Sequence, residues 1–271
     1  MDNRPIGVFD SGLGGLTTVK KMEGLMPREQ LIYFGDTARV PYGSRSRETL
    51  IKYARQDVAF LKTFDLKAIV VACGTLSTTA IHVISEESDI PIFGVVTPAS
   101  RAAVSATRNN RVGLIATAAS IRTGAYERKI TTQNPGIRVF AKSCPLFVPL
   151  VENGRIHPGD IVIETVVQEY LSSLKEVPID TLVLGCTHYP LLKEVIGNYM
   201  GSDVVLIDSG EECARSVVKW LQYHDQLAGP EQVGGCEFYV SDSIEGFAQQ
   251  ASLFLEQEVA PEVHKIDIDK Y

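Results

Sequence analysis

Short aliphatic runs that alternate with amphipathic segments dominate the hydrophobic and polar pattern of the chain. Apolar runs of about four to eight residues, bounded by turn signals, are typical of buried parallel strands. The segments that fit are Ile6–Phe9, Leu31–Phe34, Ala68–Ala72, Ile92–Val95, Val112–Ala116, the region of Val139, Thr181–Leu184, Val204–Ile207 and Glu237–Val240. Between two of them, Ser46–Phe64 carries its apolar residues at helical spacing. The alternation of strand and helix predicts an α/β fold with parallel sheets.

Two pairs of similar segments indicate that the chain is built from two related halves. IGVFDSG, which begins at Ile6, is similar to VGLIATA, which begins at Val112. IVVACGT from Ile69 is similar to LVLGCTH from Leu182, at nearly the same offset. Repeated offsets of this kind predict pseudo-symmetric α/β halves that share a cleft. The segment after Ile207 has no counterpart, so we expect it to pack back on the first half.

Composition and charge limit the class of partner. The 271 residues include 26 Lys and Arg against 33 Asp and Glu, a net charge of -7, without a basic run. Nucleic acid and anionic membranes are therefore not expected partners. The N-terminal MDNRPIGVFD has no secretory pattern, and no apolar stretch approaches the ~20 residues that span a bilayer. We expect a soluble, cytoplasmic protein whose five cysteines, none in a CxxC pair, are reduced.

Cys73 and Cys186 each follow an aliphatic run directly, in AIVVACGTLST and TLVLGCTHYPLL. Residues just past the ends of parallel strands open the crevice in which α/β proteins bind ligands. A single cysteine in this place would more often be a packed core residue, but two in matching contexts favour one functional site. Cys144, Cys213 and Cys236 lack the context and are assigned to packing.

Other polar groups after the predicted strands each have a structural alternative. DSGLGG, from Asp10 to Gly15, fits neither dinucleotide nor P-loop spacing, but it suits a carboxylate at a helix N-terminus. Asp10 itself either relays protons or, the more frequent role, caps the next helix. The loop GDTARVPYGSRS either walls the cleft, with Arg39 and Tyr42 on the ligand, or is an ordered surface loop. Glu152, by its context alone, is an exposed loop acid.

His188 lies two residues after Cys186, where an imidazole would assist a thiol; the other four histidines have no such neighbour. Zinc competes for Cys73, Cys186 and His188, because thiolate and imidazole are its preferred ligands. The chain has neither close-spaced ligand pairs nor HExxH, which disfavours a metal.

Two thiols in one cleft indicate two proton transfers. Acyl transfer needs one thiol and a base, and would leave the second thiol unexplained. Inversion of a carbon stereocentre needs a base on one face and an acid on the other, and a model thiol pKa near ~8.5 suits both roles. A dry cleft between the halves would lower the barrier further.

These ordered motifs resemble those of the glutamate racemases, cofactor-independent enzymes of the aspartate/glutamate racemase superfamily. The resemblance runs from Ile6 to about Trp220 and is carried by FDSGLGGLT, YFGDTARVPYG, VVAC, FVPLVE, LGCTHYPLL and LIDSG. It implies interconversion of L- and D-glutamate without pyridoxal phosphate, metal or other cofactor, to supply D-glutamate for peptidoglycan and hence for cell-wall biogenesis and cell shape. It also implies a homodimer and two α/β domains, 1–97 plus 209–271 and 98–208, with the active site in the interdomain cleft.

The resemblance also assigns site residues. It makes Cys73 and Cys186 the opposing acid and base, with auxiliary catalytic roles for Asp10, Glu152 and His188. The positions that it places around glutamate are Asp10, Ser11, Pro41, Tyr42, Gly43, Gly74, Thr75, Thr117 and Thr187.

One position departs from the family pattern. Where the family usually has Cys-Asn-Thr, this chain has Cys73-Gly74-Thr75. A missing buried hydrogen bond costs roughly 1–3 kcal/mol, so we expect Gly74→Asn to improve glutamate turnover. Two alternatives stay open: a racemase for aspartate or another amino acid, and a weakly active regulatory or binding homologue. LGCTHYPLL favours the glutamate branch over aspartate.

Overall fold

Parallel strands form two sheets in the computed structural model, which describes residues 1–256 and 263–271. The strands are β1 (Ile6–Asp10), β2 (Gln30–Gly35), β3 (Ala68–Val71), β4 (Ile92–Gly94), β5 (Arg111–Ala116), β6 (Arg138–Ser143), β7 (Thr181–Leu184), β8 (Val205–Asp208), β9 (Gly235–Val240) and β10 (Val263–Lys265). Their order is β10-β9-β2-β1-β3-β4 in the first sheet and β6-β5-β7-β8 in the second. The predicted α/β class and all nine predicted strands are confirmed; β10 was not predicted.

Helices connect and cover the strands. They are α1 (Leu16–Leu25), α2 (Arg47–Leu61), α3 (Gly74–Thr79), α4 (Ile81–Glu86), α5 (Val96–Ala106), α6 (Ala118–Thr123), α7 (Ala125–Gln133), α8 (Phe147–Glu152), α9 (Ile161–Lys175), α10 (Lys193–Met200), α11 (Ser209–Tyr223) and α12 (Ile244–Leu255), with 3₁₀ turns at Thr37–Arg39, Tyr189–Leu192 and Ile268–Lys270. The helix predicted over Ser46–Phe64 is α2, capped by the Ser46 side chain, which accepts from the Thr49 amide. Within the described ranges, no helix is long and apolar enough to cross a membrane.

The duplication predicted from the sequence is visible in the sheets. The order β2-β1-β3-β4 in the first sheet is repeated by β6-β5-β7-β8 in the second. β1 and β5 hold equivalent central places, and β3 and β7 follow them on the same side, as the two pairs of similar segments require. β9 and β10 extend the first sheet beyond β2, so the segment after Ile207 joins the first half. The exact domain limits stay a prediction.

The site lies where the carboxyl ends of the two sheets approach each other. β1, β3 and β7 are fully buried, as expected for parallel strands covered on both faces. The chain therefore leaves each sheet at a buried edge, and the polar residues that follow these strands face the cleft between the halves. The same parallel geometry brings Cys73, after β3, and Cys186, after β7, toward one place.

Candidate active site

The two thiols are buried, and the residues beside them touch across the cleft. Cys73 is 4% exposed and Cys186 is 6% exposed. A Cβ atom placed on Gly74 would overlap the backbone oxygen of Gly185 and would lie 3.8 Å from the Cα of Cys186. The backbone next to one thiol therefore packs against the backbone next to the other, which places both thiols in one cleft.

This contact corrects the expectation for Gly74. An asparagine there was expected to restore a lost hydrogen bond, on the assumption that the site leaves room for its side chain. Backbone atoms of Gly185 occupy that space, with the carbonyl carbon 3.4 Å from the added Cβ. Gly74 thus suits a close approach of the two halves, so the structure predicts that Gly74→Asn lowers turnover instead of improving it.

The polar neighbours of the two thiols differ in kind. The Cys73 thiol donates to the Ser11 hydroxyl over 3.8 Å. Burial raises the pKa of Cys73, and the nearby charge of Asp10 raises it further. Cys186 Sγ instead lies 3.9 Å from Nδ1 of His188, so one thiol contacts a neutral hydroxyl and the other an imidazole. The two thiols therefore have chemically different polar neighbours.

His188 links Cys186 to Glu152. Its Nε2 lies 3.0 Å from the Glu152 carboxylate, and the edge of its ring meets Phe254 with the centroids 5.4 Å apart. Burial opposes protonation of His188, but the contacts with Cys186 and Glu152 outweigh it and raise the pKa of the imidazole to about 10. Glu152 ends α8 with its side chain 35% exposed, so the alternative of an exposed loop acid is wrong.

Asp10 binds its own loop. Its Oδ2 accepts from the amides of Gly12 (3.2 Å) and Gly15 (3.0 Å), while Oδ1 is buried with no hydrogen-bond partner among the described residues. Burial raises the pKa of Asp10, and the charge of His188 partly opposes that rise. The capping role is therefore real, and two amides expected to be available for a ligand carboxylate are occupied by Asp10.

The glycine loop also docks on the second half. A Cβ on Gly14 would overlap the Thr187 hydroxyl and lie 2.5 Å from Nδ1 of His188. The Thr17 hydroxyl donates to the Thr187 backbone oxygen over 2.9 Å. Gly14 is needed for this approach rather than for ligand binding alone.

A row of hydroxyls joins the halves beside the thiols. The Thr75 and Thr117 hydroxyls are 3.0 Å apart, and the Thr78 hydroxyl donates to Ser120 over 3.4 Å. A Cβ on Gly43 would be in ordinary contact with Thr117, at 3.4 Å. Three of the predicted substrate positions, Gly43, Thr75 and Thr117, are therefore adjacent.

The Tyr42 and Arg39 side chains, which the sequence offered as ligand contacts, bind acidic side chains of the protein instead. The Tyr42 hydroxyl donates to Asp36, and Arg39 binds Asp36 and Asp57. Pro41, between them, is exposed. The hypothesis that these two side chains contact the ligand is not supported, although the backbone of the loop still borders the cleft.

Asp36, Asp57 and Ser241 hold this loop and are not among the residues predicted from the sequence. Asp36 directly follows β2, and that place at a strand end was the available signal. Asp57 lies inside α2 and Ser241 follows β9, more than 200 residues from Asp36 in the chain, so no local pattern connects them.

The remaining three cysteines lie outside the cleft, and two of them are packed in the protein interior. Cys144 and Cys213 are fully buried, and burial raises the pKa of each to about 12, while Cys236 is half-buried. Across residues 1–256 and 263–271, no group of three His, Cys, Asp or Glu side chains is arranged to hold a metal ion.

A separate cavity of about 790 Å³ lies between the halves, and neither active-site thiol lines it. Its basic residues come from both sides: Arg45 and Arg47 from the first half, and Arg122, Arg128 and Lys129 from the second. No Asp or Glu lines it.

Known proteins are similar to this chain over nearly its whole length. The Asp/Glu/Hydantoin racemase family matches residues 7–250. A glutamate racemase of Geobacter metallireducens is 45% identical over 252 residues, 93% of each chain. Two solved structures cover 100% of both chains: glutamate racemase from Francisella tularensis in complex with D-glutamate, with TM-score 0.91 and 39% identity, and glutamate racemase from Thermus thermophilus in complex with beta-chloro-D-alanine, with TM-score 0.89 and 41% identity.

These matches confirm the resemblance seen in the motifs and the expected class of enzyme, an amino-acid racemase. They extend it past Trp220, where the motifs ended. Because similarity at this level spans nearly the whole sequence, the chain belongs to the Asp/Glu/Hydantoin racemase family.

Proposed function

We propose that this protein interconverts L- and D-glutamate by two thiol-mediated proton transfers and supplies D-glutamate for peptidoglycan synthesis. The observation that carries the proposal is the pair Cys73 and Cys186, which follow equivalent strands of two similar sheets and share one cleft. The choice of glutamate rests on the relatives of 39–45% identity, each of which is a glutamate racemase.

The unlike surroundings of the thiols assign their resting states. His188, with its pKa of about 10, is cationic at neutral pH and donates toward Cys186 Sγ, where it stabilises negative charge. Cys73 keeps its proton because burial and Asp10 raise its pKa. In the proposed cycle, one turnover starts with Cys186 as the base and Cys73 as the acid.

Each turnover exchanges these states. The Cys186 thiolate takes the Cα proton from one face of glutamate, and the Cys73 thiol gives its proton to the opposite face. Cys186 then carries a proton and Cys73 is a thiolate, which is the state needed for the other enantiomer. The cycle resets by the reverse reaction or by proton exchange with water.

Asp10, Glu152 and His188 support these steps in the proposal. Glu152 holds the imidazolium on the side away from Cys186, at 3.0 Å, and so fixes its orientation. The unpartnered Oδ1 of Asp10 is a buried acceptor beside Cys73, suited to the ammonium group of an amino acid. Burial of both sulfurs excludes water, which strengthens each of these interactions.

The domain limits 1–97 plus 209–271 and 98–208 are part of the proposal. Two observations support them: β1–β4, β9 and β10 share one sheet while β5–β8 form the other, and the chain passes between the sheets through α5 and α11.

The test follows purified protein with L-glutamate in D2O, with chelator and without added cofactor, and records optical rotation together with deuterium at Cα. Loss of rotation with deuterium mainly in the D product supports two-base racemisation. Cys73→Ala and Cys186→Ala should each abolish racemisation, whereas the matched control Cys236→Ala, a half-buried cysteine outside the cleft, should retain it. Racemisation that survives in either active-site variant would reject the mechanism, and inactivity of the unmodified protein on glutamate would reject the substrate.

A further inference from the structure

The loop with three of the predicted substrate positions, Pro41 to Gly43, is held by a cluster of buried polar side chains on the side away from the cleft. Arg39, Asp36 and Asp57 form this cluster. Arg39 Nε donates to Asp36 Oδ2 over 2.5 Å, and one terminal nitrogen donates to Asp57 Oδ1 over 2.9 Å. The other terminal nitrogen donates to Gln56 over 2.6 Å, and the guanidinium lies 4.1 Å from the centre of the Tyr53 ring. Three nitrogens and one face of the Arg39 head group are thus in contact with protein, and the side chain is only 11% exposed.

Asp36 extends the cluster to both ends of the loop. Its Oδ2 also accepts from the Tyr42 hydroxyl, and its Oδ1 accepts from the Ser241 hydroxyl over 2.9 Å. Ser241 Oγ in turn accepts from the Ala38 amide over 2.9 Å. The loop is therefore tied at residues 38, 39 and 42 to three separate parts of the fold: the end of β2, the middle of α2 and the end of β9.

The opposite side of the loop faces the cleft. A Cβ added to Gly43 would lie 3.4 Å from Thr117 in the second half, and one added to Gly12 of the glycine loop would lie 3.2 Å from Val40, so both pairs are neighbours across the cleft wall. A shift of the loop would move both contacts, so the cluster sets the position of the cleft wall without touching the thiols.

The charges show that the cluster serves geometry more than stability. Asp36 and Asp57 are fully buried on either side of one guanidinium, and Asp57 Oδ2 has no hydrogen-bond partner among the described residues. Burial and the charge of Asp36 raise the pKa of Asp57 well above its usual value, and Arg39 only partly opposes that rise. Burial of such charges costs folding free energy that apolar residues would not cost. A planar guanidinium that binds two carboxyl groups at once fixes the orientation of the side chain that carries it, and so the position of the loop.

We propose that Arg39, with Asp36 and Asp57, is a positioning residue that holds the Pro41–Gly43 segment in place to form the substrate-binding wall. None of the three side chains contacts substrate. The inference rests on the proposed function for its kinetic test, but its structural consequence is measurable without activity.

Asp57→Asn and Arg39→Lys are the informative variants. Asp57→Asn keeps the size of the side chain but replaces a carboxylate oxygen with an amide, and Arg39→Lys keeps the positive charge but removes the planar set of donors that reaches Asp36 and Asp57 together. We expect KM for both enantiomers to rise by about tenfold, with kcat lowered less than threefold, since misplacement of the wall weakens binding more than chemistry. Tyr42→Phe, which removes one tie, should raise KM by a smaller factor of about three. The matched control Arg55→Gln, on the same helix but exposed and paired with exposed Glu87, should leave both constants unchanged.

Trypsin cleavage at Arg45 and Arg47 gives the second measurement. Both residues follow the loop and are exposed, so release of the anchor should speed their cleavage several-fold in Asp57→Asn and not in Arg55→Gln. A purely structural cluster would instead lower the thermal midpoint with KM unchanged.

Parent-like KM and cleavage in folded Asp57→Asn and Arg39→Lys would overturn the inference. If the unmodified protein does not racemise glutamate, the proposed function fails, and the cleavage rates still decide whether the cluster anchors the loop. If one variant does not fold, the other and Tyr42→Phe decide the outcome.

Discussion

Substitution of Gly74 tests whether the closed arrangement of the cleft is the active one. The Cβ of any larger residue would overlap the Gly185 backbone oxygen, with the carbonyl carbon 3.4 Å away. Favourable contacts between heavy atoms lie at about 3.5–4.0 Å, so the halves must separate by on the order of 1 Å at this point. The obstacle is backbone on the far side, so a change of side-chain rotamer cannot relieve it.

The size of the effect follows from the cost of overpacking. Extra atoms in a packed interior typically cost about 1–3 kcal/mol, and each 1.4 kcal/mol changes a rate or an equilibrium by about tenfold. We therefore expect Gly74→Ala and Gly74→Asn to lower kcat/KM by about 5- to 150-fold. The cost applies to closure of the cleft and not to folding of either half, so the thermal midpoint should change little.

The assay compares kcat/KM for L- and D-glutamate in the parent, Gly74→Ala and Gly74→Asn. Alanine isolates the effect of the Cβ, and asparagine adds the amide that the family usually has. Gly24→Ala is the matched control, because its Cβ would have nothing within 4 Å on the exposed face of α1. A Gly74→Asn protein as active as the parent, or more active, would refute the close approach as a property of the working enzyme.

Three further outcomes follow from the same site. The pKa of His188 is raised from 6.5 to about 10, so its contribution to the free energy of unfolding is complete below pH 6.5 and is lost as the pH rises through about 10. Urea unfolding of the parent and of His188→Gln should therefore show a difference in stability that shrinks across this pH range. A constant difference would contradict the contacts with Cys186 and Glu152. Glu152→Gln removes the carboxylate that holds the imidazolium, so kcat should fall by about tenfold. The alkaline limb of the pH–rate profile should also move to lower pH, because His188 would lose its proton more readily. An unmoved limb would mean that Glu152 does not support the charge of His188. Gly14→Ala places a Cβ against Thr187 at a cost of about 1–3 kcal/mol, which should appear in kcat/KM measured beside the thermal midpoint; parent-like kcat/KM would show that Thr187 moves aside freely.

The sequence was sufficient for the features that repeat or follow a period. The aliphatic runs located the strands because burial on both faces of a parallel sheet leaves a continuous apolar signal. The matching contexts of Cys73 and Cys186 located the cleft because the two halves reuse one strand order. β10 was not found, since three residues, VHK, carry no usable period.

Contacts between distant parts of the chain could not be predicted in the same way. The sequence suggested that the Tyr42 hydroxyl could bind a ligand, but in the fold this hydroxyl donates to Asp36. The amides of Gly12 and Gly15 were available for an anion, but the carboxylate that they bind belongs to Asp10. The sequence suggested that Gly74 leaves a hydrogen bond unmade. The backbone that fills the space beside Gly74 comes from the other half, so no local pattern could show it. In each case the partner is set by tertiary packing, which no local pattern records.

The cavity between the halves is lined by Arg45 and Arg47 on one side and by Arg122, Arg128 and Lys129 on the other. Among the ion pairs of the described residues, none joins residues 98–208 to the rest of the chain, and the nearby seam consists of neutral hydroxyls. The two halves therefore present like charges to each other across this cavity, with no carboxylate in its lining to offset them. Salt screens such repulsion over about 8–10 Å, so we expect the contact between the two halves to be most strained at low ionic strength.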